Sequence, residues 1–154
     1  MVIGIGVALV EDDAYEVFLE RQLTRYAAWP WKFCVWHRTA NHLQPGYKRD
    51  GILVEVYEIC RRHGAVVING HLHAYARTHA LTSFREDVLA REFRAPVDTT
   101  RVVVGPGQSI MALVGLSGAA FKKFSPERVQ HAWFASVVAK QACSHFDYPI
   151  TCAV

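Results

Sequence analysis

This sequence of 154 residues has no long apolar run and few cysteines, and both shortages exclude classes of protein. A membrane-spanning helix needs about 18 consecutive apolar residues, and Gly, His or Gln interrupts every apolar stretch before that length. We therefore expect no membrane partner. The four cysteines are too few for a dense disulfide framework. Cys143 and Cys152 flank a turn at Tyr148-Pro149 and remain either a disulfide or two free thiols, whereas Cys34 and Cys60 sit in apolar runs and are expected in the core.

Glycine, proline and charge are also limited. Ten glycines and six prolines exclude a collagen, and a hydrophobic fraction of 51% excludes a disordered tail. A net charge of +3 comes from scattered basic residues, so the chain lacks the basic stripe of a nucleic-acid-binding protein. No repeat or linker interrupts the chain, which predicts a single domain.

The opening ten residues are apolar but lack the basic flank and cleavage pattern of a signal peptide. They predict a buried strand over residues 2–9. A chain that begins inside a core strand is expected to be a domain truncated at its amino end. An unpaired edge on this strand would favour self-association.

The first half alternates between the two periodicities of secondary structure. The predicted strands and helices alternate over residues 2–9, 13–27, 32–36, 50–63 and 65–69. The second helix ends in a basic turn, and Gly64 is expected at its C′ position. This order predicts an α/β fold, in which ligands gather at the carboxyl ends of the strands.

After residue 80 the pattern becomes β-rich. Short apolar runs cover residues 102–104, 110–114 and 133–138, and one helix is expected near 84–94. Glycines interrupt these runs, and we expect them to supply positive φ in turns, at Gly105, Gly107, Gly115 and Gly118. The single domain, residues 1–154, thus has an α/β portion over 1–80 and a β-rich portion over 81–154.

The most informative segment is the end of the strand at 65–69, where Gly70-His71-Leu72-His73 follows. In extended backbone, two residues at i and i+2 lie on the same side about 6.6 Å apart. Such a pair can straddle two metal ions about 3.5–4 Å apart. Gly70 lets the backbone turn closely, and His37 ends the preceding strand at the same sheet edge, so three imidazoles are expected to converge.

The segment from Gly70 to Thr78, Gly-His-Leu-His-Ala-Tyr-Ala-Arg-Thr, resembles the Gly-His-x-His-Ala-Tyr-Glu-Arg signature of the purple acid phosphatases, which are calcineurin-like metallophosphoesterases. The Trp-His-Arg-Thr sequence at 36–39 is similar to the family's Gly-His-Arg-Pro element. The resemblance covers residues 2–80, with a vaguer likeness over 103–118. It implies the second half of an α/β/β/α sandwich, in which strand, helix, strand, helix and strand precede a β-rich segment.

The resemblance also implies a chemistry, namely hydrolysis of small phosphate monoesters by a pair of metal ions, Fe with Zn, Mn or Fe. By position, His37 and His71 would bind one metal and His73 the other. Residues that support these ligands would be Asn69, Gly70, Tyr75 and Arg77. His42 would be a candidate general acid. The family also implies a secretory or extracellular location.

The chain departs from the family where carboxylates are needed. The Asp-x-His, Gly-Asp-x-x-Asp and Gly-Asn-His-Glu elements are absent, and Trp36, Thr39 and Ala76 replace family residues. We therefore expect the isolated chain to bind at most one divalent metal and to have negligible phosphatase activity. The alternatives are a non-catalytic module with structural histidines that binds one metal or a partner, and a zinc-stabilised binding domain, which would want a Cys-x-x-Cys pair that this chain lacks.

Overall fold

The computed structural model describes residues 1–6, 14–48, 51–96, 102–116 and 124–138. Three helices and six strands occur in these ranges. The helices are α1 Ala14–Arg25, α2 Glu55–Arg62 and α3 Glu86–Glu92. The strands are β1 Val2–Gly4, β2 Phe33–Trp36, β3 Val66–Asn69, β4 Tyr75–Thr78, β5 Met111–Val114 and β6 Phe134–Val138. Short 3-10 turns cover Asn41–Leu43 and Arg128–Gln130.

All six of these strands belong to one sheet in the order β1-β2-β3-β5-β4-β6. The strands β1, β2, β3 and β5 run parallel to one another, as the helical crossovers of an α/β pattern require. The other two are antiparallel, since β4 pairs with β5 and β6 pairs with β4. The α/β prediction is confirmed, and β1 lies at one edge of the described sheet.

The sheet buries one of its two faces. Burial alternates along β2 and β3, so that Cys34, Trp36, Val67 and Asn69 are buried while the residues between them are half-buried. Both α1 and α2 cover the buried face, and Leu19 and Leu23 of α1 are completely inaccessible to solvent. Cys34 and Cys60 are therefore core residues, as predicted. Cys143 and Cys152 lie outside the described residues.

Some element boundaries differ from the predicted ones. Helix α2 begins at Glu55 rather than near residue 50, and Leu53, expected on its apolar face, is 62% exposed. The apolar run at 102–104 is not a strand, and its Val103 is 61% exposed. Apolar character alone does not make a strand, because a strand also needs a neighbour for its backbone hydrogen bonds. Only residues 2–4 of the predicted opening strand are in the ladder, and 7–9 lie outside the described residues.

The expectation of positive φ holds at Gly107 and fails at Gly105 and Gly115, and Gly64 also has a positive φ at the predicted C′ position. Gly64, which follows α2, has a φ of 63°, and Gly107 has a φ of 91°. Gly105 and Gly115 have no positive φ. At Gly115 the reason for glycine is a close backbone approach to Leu72. Gly118 lies outside the described residues. None of the described helices is long and apolar enough to cross a membrane.

Candidate metal centre

The register of the parallel strands brings His37 beside the segment that follows β3. Trp36 at the end of β2 pairs with Asn69 at the end of β3, so His37 and Gly70 leave the sheet side by side. The Gly70 N–H donates a hydrogen bond to the His37 carbonyl at 3.0 Å. A Cβ on Gly70 would lie 3.4 Å from Nδ1 of His37, an ordinary van der Waals distance, so this approach does not by itself require glycine.

His37 and His71 form a close imidazole pair. The Nδ1 atom of His71 lies 3.2 Å from Nε2 of His37. The ring centroids are 5.0 Å apart and the rings are nearly perpendicular, at 80°. His37 is exposed, whereas His71 is buried with 9% of its surface accessible. The predicted convergence of these two histidines is therefore present in the fold.

This separation fits two nitrogen ligands on one cation. Nitrogens that each lie about 2.0–2.1 Å from a tetrahedral Zn²⁺ are about 3.3–3.4 Å apart, close to the spacing of the pair. Among the residues that the structure describes, no three His, Cys, Asp or Glu side chains converge closely enough to hold a metal ion. The pair thus supplies part of a coordination sphere, and the role of His73 as a ligand of a second metal stays a prediction.

The segment that carries both histidines is bent, so the expected extended geometry is wrong. His71 has a φ of 69°, in the left-handed region. The Leu72 N–H donates to the Gly70 carbonyl at 2.9 Å, and the Ala74 N–H donates to the Leu72 carbonyl at 2.8 Å. These successive tight turns place Leu72 in the core between the two histidines. The rule that residues i and i+2 of extended backbone share one side therefore does not apply to His71 and His73.

Asn69 is fixed from two directions by groups outside its own strand. Its Oδ1 accepts a hydrogen bond from the Tyr57 hydroxyl at 2.8 Å, and its Nδ2 donates to the Trp36 carbonyl at 3.4 Å. The same hydroxyl accepts from the Ala40 N–H at 3.1 Å. Burial raises the pKa of Tyr57 far above its ordinary value, so the hydroxyl keeps its proton. Tyr57 thereby ties α2 to the segments after β2 and β3.

Tyr57 is a positioning residue that the sequence analysis missed. The apolar face predicted for α2 did not include Tyr57, although its side chain is completely buried. A buried tyrosine hydroxyl needs a partner, which was the available signal. The sequence alone did not identify that partner. It is the side-chain oxygen of Asn69, 12 residues further along the chain.

Tyr75 and Arg77 lie in β4, half-buried, on either side of the completely buried Ala76. Arg77 was expected to support the histidine ligands. Its Nη1 does donate to a carbonyl, at 3.3 Å, but the acceptor is the neighbouring Thr78. This contact lies within the strand, so it gives no support to the expected role of Arg77 beside the histidines.

His42, the candidate general acid, is held by the backbone. Its Nε2 donates to the Phe84 carbonyl at 2.7 Å, and the ring is half-buried. Burial lowers the pKa of His42, and the bond to Phe84 opposes this shift only in part. A ring whose Nε2 proton is already committed to a backbone carbonyl favours a structural role for His42.

His42 should make the protein less stable in acid. Its folded-state pKa lies below the ordinary value near 6.5, so the unfolded chain binds the proton more tightly. Stability is then retained above pH ~6.5 and lost as the pH falls below it, by at most about 1.4 kcal/mol per pH unit for one proton. Urea unfolding of His42→Gln at neutral and mildly acidic pH should show a shallower loss, because the amide donates to Phe84 but does not titrate.

The variant His42→Ala is the matched control for this prediction. It removes the titrating ring and also leaves the Phe84 carbonyl without its donor, which costs about 1 kcal/mol at every pH. It should therefore share the shallower slope but have a lower stability throughout. Equal slopes for the wild type and both variants would contradict the assignment.

The comparisons with known proteins support the fold. No protein-family model and no curated protein matches this sequence. Among solved structures, the chain is similar to the purple acid phosphatase PPD1 isolated from yellow lupin (Lupinus luteus) seeds, with a TM-score of 0.66 and 17% identity over 89% of this chain. The chain spans 24% of the length of that protein. Over the matched part, this chain and the lupin protein share a fold.

Proposed function

We propose that this chain supplies the histidine side of a metal-dependent phosphoesterase centre, whose parent activity is hydrolysis of phosphate monoesters. The observation that carries the proposal is the 3.2 Å separation between Nδ1 of His71 and Nε2 of His37. The fold of the lupin phosphatase supports the same reading. With only part of the ligand set, the isolated chain binds at most one divalent cation and has negligible turnover.

The two histidines have different roles in the proposed centre. His71 is buried, and hydrogen bonds hold its carbonyl and the residues on either side of it, so its ring has a fixed direction. His37 is exposed, so its side of the proposed centre faces solvent. Neutral imidazole nitrogens suit a borderline cation such as Zn²⁺ and hold a hard Fe³⁺ poorly. A bound divalent cation supplies Lewis-acid polarisation of the phosphate ester and activation of water.

Metal titration tests this proposal directly. Calorimetric titration with Zn²⁺ or Co²⁺ should show one weak binding event, which His37→Ala and His71→Ala each weaken by at least about tenfold, or 1.4 kcal/mol. The affinity should also fall from neutral to mildly acidic pH, because protons compete with the cation for the imidazole nitrogens. A chromogenic phosphate ester should be hydrolysed no faster than in buffer.

His63→Gln is the matched control. His63 bonds to Glu20 of α1 through its Nε2 at 2.8 Å, at the carboxyl end of α2, and should not affect the metal affinity. Two tight metals with saturable turnover would contradict the expected loss of activity. An affinity that does not respond to either His37→Ala or His71→Ala would remove the histidine pair from the centre.

A second candidate function is a non-catalytic module in which the histidines are structural. The same 3.2 Å contact favours it, since one imidazole N–H donating to the other nitrogen has that length. In that case His37→Ala would lower the free energy of unfolding by about 1 kcal/mol, the value of one hydrogen bond, whether or not metal is present. Wild-type protein would then show no metal binding in the titration.

A further inference from the structure

Lys48, 23 residues before His71 in the sequence, holds the backbone of His71. The Nζ atom of Lys48 donates to the His71 carbonyl oxygen at 2.6 Å. A hydrogen bond from a charged donor at this length is among the strong ones in proteins. Lys48 is half-buried, so this contact is shielded in part from water.

The segment that presents Lys48 is itself anchored. Gly46 pairs with Phe124 in an isolated bridge, and the Ser125 N–H donates to the Pro45 carbonyl at 3.0 Å. Arg128 Nη1 donates to the Gly46 carbonyl at 3.3 Å. The lysine is therefore delivered from a fixed backbone rather than from a free loop, which lowers the entropy lost in forming the contact.

The backbone at His71 needs such a contact. A histidine at a φ of 69° adopts a backbone conformation that residues with a Cβ rarely take, so the surroundings must favour it. Neighbouring Gly70 is held on its carbonyl by the Leu72 N–H at 2.9 Å and by Thr39 Oγ1 at 3.2 Å. Lys48 supplies the corresponding hold on the next carbonyl, that of His71.

We propose that Lys48 is a positioning residue of the metal centre, which keeps His71 in its left-handed conformation with Nδ1 directed at His37. The proposal rests on the proposed function for its metal readout only. Charge alone predicts the opposite effect of Lys48 on metal affinity, because an ammonium group beside a cation site repels the cation. If charge repulsion dominated, removing Lys48 would strengthen metal binding, whereas loss of the tether weakens it.

The test compares Lys48→Met and Lys48→Arg with wild-type protein by Co²⁺ titration and by amide hydrogen exchange. Methionine keeps the length of the side chain but loses the charge and the donor. We expect Lys48→Met to weaken Co²⁺ binding several-fold and to speed exchange of the Leu72 amide, while the charged donor of Lys48→Arg restores most of both. Tighter or unchanged binding in Lys48→Met, or no rescue by Lys48→Arg, would overturn the proposal.

Lys32→Met is the control for loss of a partly shielded lysine. Lys32 Nζ donates to the Trp29 carbonyl at 2.9 Å, at the amino end of β2 and away from His37. This variant should leave both Co²⁺ affinity and Leu72 exchange unchanged. If wild-type protein binds no Co²⁺, the proposed function fails, and the exchange comparison still decides whether Lys48 holds the His71 segment.

Discussion

Replacing Gly115 with alanine should lower the free energy of unfolding by about 3 kcal/mol and abolish the ordered His37–His71 pair. Gly115 follows β5, and its N–H donates to the Ala74 carbonyl at 2.9 Å. A Cβ at Gly115 would lie 2.1 Å from the Leu72 carbonyl oxygen and 3.3 Å from Cα of His73. Both of those atoms are backbone, so the segment 70–74 must move for the methyl group to fit.

Urea unfolding and Co²⁺ titration of Gly115→Ala measure the two effects, and Gly105→Ala is the matched control. A Cβ at Gly105 meets no atom within 4 Å, and Gly105 has no positive φ. Its stability should therefore stay within about 0.5 kcal/mol of wild type, as for a surface substitution. A Gly115→Ala protein as stable as Gly105→Ala, with unchanged metal affinity, would show that the close approach is not needed.

We expect Glu58→Ala to cost about 3 kcal/mol, because it removes one partner from a buried polar network. One carboxylate oxygen of Glu58 accepts hydrogen bonds from the Phe84 N–H and from Ser83 Oγ. The other is 2.9 Å from Nε of Arg61, and Glu58 is only 8% exposed. Alanine would leave the buried Phe84 N–H without an acceptor and would loosen the segment whose carbonyl receives His42.

Two variants calibrate this expectation in urea unfolding. Glu58→Gln keeps an oxygen for the Phe84 N–H but loses the charge that faces Arg61, so its loss should be smaller than that of alanine. Glu92→Ala breaks an ion pair with Arg91 whose side chains are 64% and 68% exposed, and should change stability by less than about 1 kcal/mol. A loss at Glu58→Ala no larger than that at Glu92→Ala would contradict the role of Glu58.

Local chemistry was enough to predict most of the architecture. The apolar periods of 2 and 3.6 identified the helices and most of the strands, and Gly64 was recognised as the residue after α2. The strand β4 was missed, because Tyr75 to Thr78 had been interpreted only as part of a ligand segment. It is a strand because β5 and β6 pair with it from both sides, and that pairing joins residues far apart in the chain.

The candidate centre could be predicted in part. The meeting of His37 and His71 followed from one general rule, that parallel strands end at the same edge of the sheet. The conformation of the segment between Gly70 and Ala74 could not be predicted, since extended backbone was the simplest continuation of β3. Its left-handed histidine depends on contacts with Thr39, Lys48 and Gly115, which no local pattern reveals.

The sequence by itself determined the α/β class, most of the core residues and the edge of the sheet where His37 and His71 meet. These properties depend on the order of apolar and polar residues over a few turns, which can be read along the chain. The tertiary structure alone decided the direction of each imidazole, the φ of His71 and the partners of Tyr57, Lys48 and Glu58. Those depend on atoms within about 3 Å of one another that are brought together only when the sheet and its helices pack.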